Sequence, residues 1–167
     1  MTTPHAIRCY DYVNHPYARV RDVLTANAVE AFRAATRAAA SRAHSVASQL
    51  RIDIAGIEVG TDVDIAVREI EEHPGSPTSG PCTCLRLEWQ ASKRPRLFPF
   101  MRADLAIYPL TPRETQLDLL GHYEPPLGVV GNAIDSILGH RVAEVSVHRF
   151  VTDVAAYLRA TIDEPAA

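Results

Sequence analysis

The apolar positions along this chain change their period three times. His5 to Val13 (HAIRCYDYV) alternates roughly, with β-branched and aromatic residues, and predicts a first strand. Asn14-His15-Pro16 then marks a helix start, with a capping residue and a proline at the first helical position. Pro16 to about Thr25 carries Val20, Val23 and Leu24 on one side, and Asn27 breaks or caps that helix. From Ala28 to Ser48, Val29, Phe32, Ala35, Ala39, Ala43 and Val46 are spaced for one buried helical face. Beyond Leu50 the period falls to two, and Leu50–Glu58, Asp62–Glu71, Cys82–Ala91, Leu97–Pro109 and Glu114–Glu124 read as strands. Gly60-Thr61, the loop His73–Pro81, the basic turn Ser92–Arg96 and Thr111-Pro112-Arg113 separate them. After Pro125-Pro126-Leu127-Gly128 the helical period returns and runs to Ile162 without a proline. Such a helix is roughly 50 Å long at 1.5 Å per residue, more than a small domain's width.

Strands joined by short turns form an antiparallel meander. The pattern therefore predicts one α+β domain over residues 1–167. Its curved antiparallel sheet has six or seven strands and wraps around the long C-terminal helix. Two helices follow the first strand.

Alternation also sorts the strand residues by face. Val63, Ile65, Val67, Leu85, Leu87, Trp89, Met101, Ala103, Leu105, Ile107, Leu117, Leu119 and Tyr123 fall on the side turned toward the terminal helix. Asp62, Asp64, Arg68, Arg86, Glu88, Arg102, Asp104, Gln116, Asp118 and His122 fall on the other. The second set mixes signs between neighbouring strands, as cross-strand pairs on a wet face do. An inward face that is nearly all hydrocarbon suits an apolar ligand held by a few hydrogen bonds. It suits a filled core equally well. If a ligand is held, the lining residues are Leu85, Leu87, Trp89, Met101, Leu105, Ile107, Leu119 and Tyr123 from the sheet, with Ile137 and His140 from the helix.

His140, Glu144 and His148 stand four residues apart on the terminal helix, and its apolar stripe rotates near Gly139. A gap there would let His140 and Glu144, with Tyr123, act as acid–base groups. The alternative is a partly exposed His–Glu pair on the helix flank. No third group completes a metal site with them.

Composition narrows the classes further. A net charge of −3 without a basic run argues against a nucleic-acid surface. No signal-peptide pattern and no bilayer-length apolar run is present, so neither export nor stable membrane insertion is expected. Three cysteines fit a reduced, cytoplasmic protein; Cys82 and Cys84 share one strand face and lack the second pair a zinc site needs. No phosphate-binding loop, dinucleotide fingerprint or nucleophile elbow occurs, and no cofactor is expected.

The first strand leading into a Pro-started helix (YDYVNHPYARVRDVL), the meander, and the ending YEPPLGVVGNAIDSILGHRVAEVSVHRFVTDVAAYLRATI resemble the START-like (SRPBCC), helix-grip superfamily. That group includes polyketide cyclases/dehydrases, pollen-allergen relatives and lipid-transfer domains. The resemblance covers nearly the whole chain and implies a deep cavity between sheet and terminal helix for lipids, polyketides or other apolar molecules. It transfers no catalytic residue. Three functions stand open: a carrier or sensor of a hydrophobic small molecule, a cyclase or dehydratase, and an interaction module with a filled core.

Overall fold

A computed structural model describes residues 5–49, 63–91, 100–124 and 133–163, with side chains placed within 6–35, 65–89, 101–122 and 147–163 and at Glu144. Strand β1 (His5–Val13) leads into helix α1 (Tyr17–Gln49). Strands β2 (Val63–His73), β3 (Cys82–Ala91), β4 (Phe100–Thr111) and β5 (Glu114–Glu124) follow, and helix α2 (Ala133–Asp163) closes the order. The sheet runs β1-β5-β4-β3-β2 with every pairing antiparallel. The meander is as expected, but among the described residues the sheet has five strands rather than six or seven. β1 closes directly on β5, leaving β2 as the opposite edge. The strand expected over Leu50–Glu58, the Ser92–Arg96 turn and residues 128–132 of the terminal helix lie outside the described residues.

Helix α1 begins one residue later than its proline suggests, because the Pro16 carbonyl accepts the bonds from the Arg19 and Val20 N–H groups. The break expected at Asn27 is present. That residue leaves helical geometry (φ −125°, ψ 23°) and divides α1 into two segments. Thr25, near the end of the first, donates its hydroxyl to the Arg21 carbonyl at 2.8 Å.

The apolar sheet face does not meet α2 alone. Five strands spaced about 4.8 Å apart make a face roughly 19 Å wide, whereas packed helices lie about 8–10 Å apart. One helix cannot cover that width; two can. Helix α2 lies along β1, α1 lies along β2, and the helices pack against each other.

Register sets the inner rows of this core. Leu85, Leu105 and Leu119 stand side by side across β3, β4 and β5, continued by Cys9 on β1. Ile107 and Leu117 form the next row with Thr83. The helices meet these rows with Leu24, Phe32, Val151, Val154 and Leu158, all buried. Phe150 of α2 joins three elements, lying 5.8 Å from the Phe32 ring and edge-on to Trp89 at 5.1 Å. Among the described residues, the two buried polar side chains are both satisfied: Thr83 pairs with the Tyr17 hydroxyl at 2.6 Å, and Thr115 donates to the His15 carbonyl at 2.9 Å.

The opposite sheet face carries the expected charges. Arg86 is paired with Glu69 and lies 3.6 Å from Asp104, while Glu88 sits between Arg68 and Arg102. Hydrogen bonding from Arg68 holds the Glu88 carboxyl below the usual carboxylate range. Arg8 pairs with Asp118 at 2.7 Å.

Truncating Phe150 removes the ring that both Trp89 and Phe32 contact. Phe150→Ala is expected to destabilise the fold by about 3–5 kcal/mol. Urea unfolding followed by the emission of Trp89, the chain's one tryptophan, measures it.

Candidate functional site

The residues expected to line a cavity divide into three groups. Leu85, Leu87, Leu105, Ile107 and Leu119 have no accessible surface at all. A void able to hold even one water would give its wall some accessible area, so none borders these side chains. They are packed core. Trp89 keeps 7% of its surface and Met101 is partly buried, so the inner face loosens toward this row. Tyr123 is in register with Met101 and His5, and Ile137 and His140 belong to α2, but these three side chains lie outside the described set.

Next to that row the inner face has two small residues, Ala103 and Gly121, flanked by larger ones. Leu87, Ala103, Gly121 and Ile7 are neighbours in register. A Cβ on Gly121 would stand 3.3 Å from the Met101 sulfur, so the methionine lies over the glycine. Methionine is the apolar side chain best able to shift and refill such a space.

The described cavity opens at the edge of the same face. A cleft of about 500 Å³ lies between the Asn27 break in α1 and residues 67–70 of β2. Val67 and Ile70 form one wall; Ala28 and Val29 form the other. A bulge in β2 makes this wall: the register with β3 shifts between Val67 and Glu69, so Ile70 pairs with Leu85 and joins the inner face. Arg68 and Glu69 are consequently both free to pair on the outer side. Val29 (54% exposed) and Ile70 (41%) are large apolar residues left facing solvent here. Register sets Val67 beside Leu87, diagonal to Trp89, so the cleft adjoins the looser end of the core.

Sequence reasoning did not single out Asn27, Val29 or Ile70 as site residues. One signal was available: Val67 and Ile70 are three apart with Arg68-Glu69 between them, where strict alternation requires two.

Polar groups on the inner side are engaged structurally. Asp11 receives the Arg159 guanidinium at 3.4 Å, and Thr83 and Thr115 are bonded as above. The Cys9 thiol is directed at the Val147 carbonyl at 3.7 Å, and burial, with Asp118 and Asp11 adding to it, pushes its pKa up to about 12. Glu144 and His148 are on the exposed side of α2. Helix α2 continues without a break through Gly139. Among the described residues no three His, Cys, Asp or Glu side chains gather to hold a metal, and no helix is long and apolar enough to cross a membrane.

No family model and no curated protein matches the sequence. Solved structures similar to the chain include three that touch on the resemblance read from the sequence. One is described as an aromatase/cyclase from Streptomyces sp. R1128 (12% identity, 96% of each chain, TM-score 0.48). Another is a START superfamily protein from Mycobacterium smegmatis (8%, 94% of this chain and 99% of that one, 0.46). A third is norcoclaurine synthase from Thalictrum flavum, solved with dopamine and hydroxybenzaldehyde (9%, 99% and 91%, 0.46). No site residue carries over from them to this chain.

The cysteines offer a check on the packing. Burial raises all three thiol pKa values, Cys9 the furthest, and the reactive thiolate forms only as pH rises through each value. At pH 8 a disulfide reagent is expected to titrate the half-buried Cys82 and Cys84 slowly in the native protein, faster at pH 9. Cys9 reacts only after unfolding; Cys9 reacting with the other two would contradict the sealed core.

Proposed function

We propose that this chain binds an apolar small molecule, as a carrier or sensor, with the ligand seated in the cleft between the Asn27 break and β2. The observation that supports this most is the pairing of Val29 and Ile70 across a concave space of about 500 Å³. That volume lies within the roughly 300–1,000 Å³ range of small-molecule sites. Two large apolar side chains left in water on either side of a cleft gain by being covered.

The ligand's inner end meets Val67 and, beyond it, the row of Ile65, Trp89 and Met101. Movement of Met101 off Gly121 would lengthen the space toward β5. Leu85, Leu105, Ile107 and Leu119 stay core in this reading and give the cleft a rigid floor. Carriage or sensing fits better than catalysis, because the acidic, thiol and hydroxyl groups described on the inner face are each committed to a structural contact.

A neutral solvatochromic dye such as Nile red tests the proposal. Its emission is expected to shift to the blue with micromolar affinity. Ile70→Glu should weaken binding at least about tenfold by placing a charge in the apolar wall. Leu120→Glu, a substitution at a similarly exposed residue (44%) on the opposite sheet face, should leave it unchanged. Equal loss in both variants, or in neither, refutes the cleft as the binding site.

A further inference from the structure

The sheet face turned away from the helices carries a group of metal-ligating side chains where β2 and β3 meet their connecting loop. Register sets Glu71 opposite Cys84 and His73 opposite Cys82. Thr83 and Leu85 alternate with the cysteines and are fully buried on the inner face, so Cys82 and Cys84 point outward, and their cross-strand partners share that side. The second pair of ligands that Cys82 and Cys84 lack in sequence is thus supplied by the neighbouring strand, as an imidazole and a carboxylate.

The spacing suits one ion. Directly opposed residues stand about 5 Å apart at Cβ, and residues two apart on a strand about 6.5 Å. Bonds from zinc to sulfur, nitrogen and oxygen are about 2.0–2.3 Å long. The short cysteine side chains place such an ion over β3, between the two thiols, and the longer histidine and glutamate side chains span the gap from β2. In the structure the four groups do not converge on one point. None of them is buried, so each can turn toward a shared ion without disturbing the core.

The surroundings favour a cation. The His73 imidazole lies 3.6 Å from the Glu71 carboxylate. Arg86 is 3.9 Å from Glu71 but is also paired with Glu69, so drawing Glu71 away leaves the arginine a partner. Burial raises the Cys84 pKa, and Asp104, Cys82 and Glu71 add to it against Arg86, which marks a net negative field at this thiol. The loop also holds the two strand ends at a fixed separation. Ser76 and Ser79 exchange backbone hydrogen bonds at 2.7 and 3.2 Å, and Gly75, at φ +90°, lies so close to Gly80 and Pro81 that a Cβ would stand 2.9 Å from them.

We propose that Cys82, Cys84, His73 and Glu71 form a four-coordinate zinc site that clamps β2 to β3 on the outer face. Two thiolates, an imidazole and a carboxylate select zinc over calcium or magnesium, which take oxygen ligands. Each thiol gives its proton to solvent as the metal–sulfur bond forms, so binding tightens as pH rises. Four protein ligands leave no open position, and the role is structural. The site lies on the face opposite the cleft and stands or falls independently of the apolar ligand.

Titration of the reduced, full-length chain with Co(II) at mildly alkaline pH tests this. One equivalent is expected to bind with a Kd of about micromolar or tighter. Binding should bring thiolate-to-cobalt charge transfer and the intense visible bands of tetrahedral cobalt, both removed by Zn(II). Cys82→Ser, Cys84→Ser and His73→Ala should each weaken binding at least about tenfold. His122→Ala, at an exposed histidine on β5, should leave it unchanged. A second readout needs no substitution: Zn(II) should shield Cys82 and Cys84 of the native chain from a disulfide reagent. A six-coordinate cobalt spectrum without charge transfer, or thiolate bands that survive either serine variant, overturns the proposal. So does a spectrum indifferent to both His73→Ala and Glu71→Gln, because the site needs both strands. Zinc that leaves the two thiols as reactive as before refutes it as well. One metal bound per two chains, with a dimer forming as metal is added, replaces it with a bridge between copies.

Discussion

The width of the apolar sheet face governs this structure. Leu85, Leu105 and Leu119 sit in the middle of a five-stranded face, too broad for one helix and too oily for water. Burying it requires α1 and α2 side by side, and their own junction must be apolar as well. Phe32, Phe150 and Trp89 meet there, so the contact that joins the helices also joins them to β3. Each fully buried leucine side chain contributes about 1.5–3 kcal/mol. A row of them outweighs any surface ion pair on the other face, most of which are worth under about 1 kcal/mol.

The two sheet edges are treated in opposite ways. At β1 the end of α2 is tied down: Arg159 donates to the Tyr12 carbonyl at 2.6 Å and His15 lies 3.1 Å from Asp163. The Tyr12 N–H is bonded to the Asp11 carboxylate at 2.7 Å, so side chains occupy both backbone groups of that residue on an edge strand. Occupied groups of this kind blunt an edge against further pairing. At β2 the strand bulges instead, and α1 breaks opposite the bulge. One side of the domain is bolted and the other is left with a concavity.

Much of the layout was legible in the sequence. The period-two runs gave β1 and β5 to the residue, and the sorting of Leu85 and Leu87 from Arg86 and Glu88 follows from alternation alone. Asn27 was readable as a break because asparagine's short amide competes for backbone hydrogen bonds and favours helix ends. What alternation could not show was the sharing of the inner face by two helices. That follows from strand number and spacing, which are tertiary quantities. For the same reason the side-chain pattern made Leu105 and Ile107 look equally suited to a cavity wall or a packed core, and only their complete burial separates the two. The His140 side chain lies outside the described set, and Glu144 and His148 are exposed on α2. With α1 also packed against it, the buried stripe is that of Val147, Phe150, Val151, Val154 and Leu158.

The bulge at Arg68 shows how one backbone irregularity can re-aim several side chains at once. In a regular strand, Glu69 would follow Val67 onto the inner face and Ile70 would turn outward. A carboxylate would then stand on the apolar side of the strand beside Leu85 and Leu87. The extra residue reverses both assignments. It sends Glu69 to Arg86 and Arg68 to Glu88 on the wet face, and it brings Ile70 round to the side of Val29. The same step thus neutralises the rim and greases the wall. A merely structural bulge needs only to avoid that placement. The result is a large apolar side chain left exposed opposite a broken helix, and that exposure is the feature on which the proposed ligand site rests.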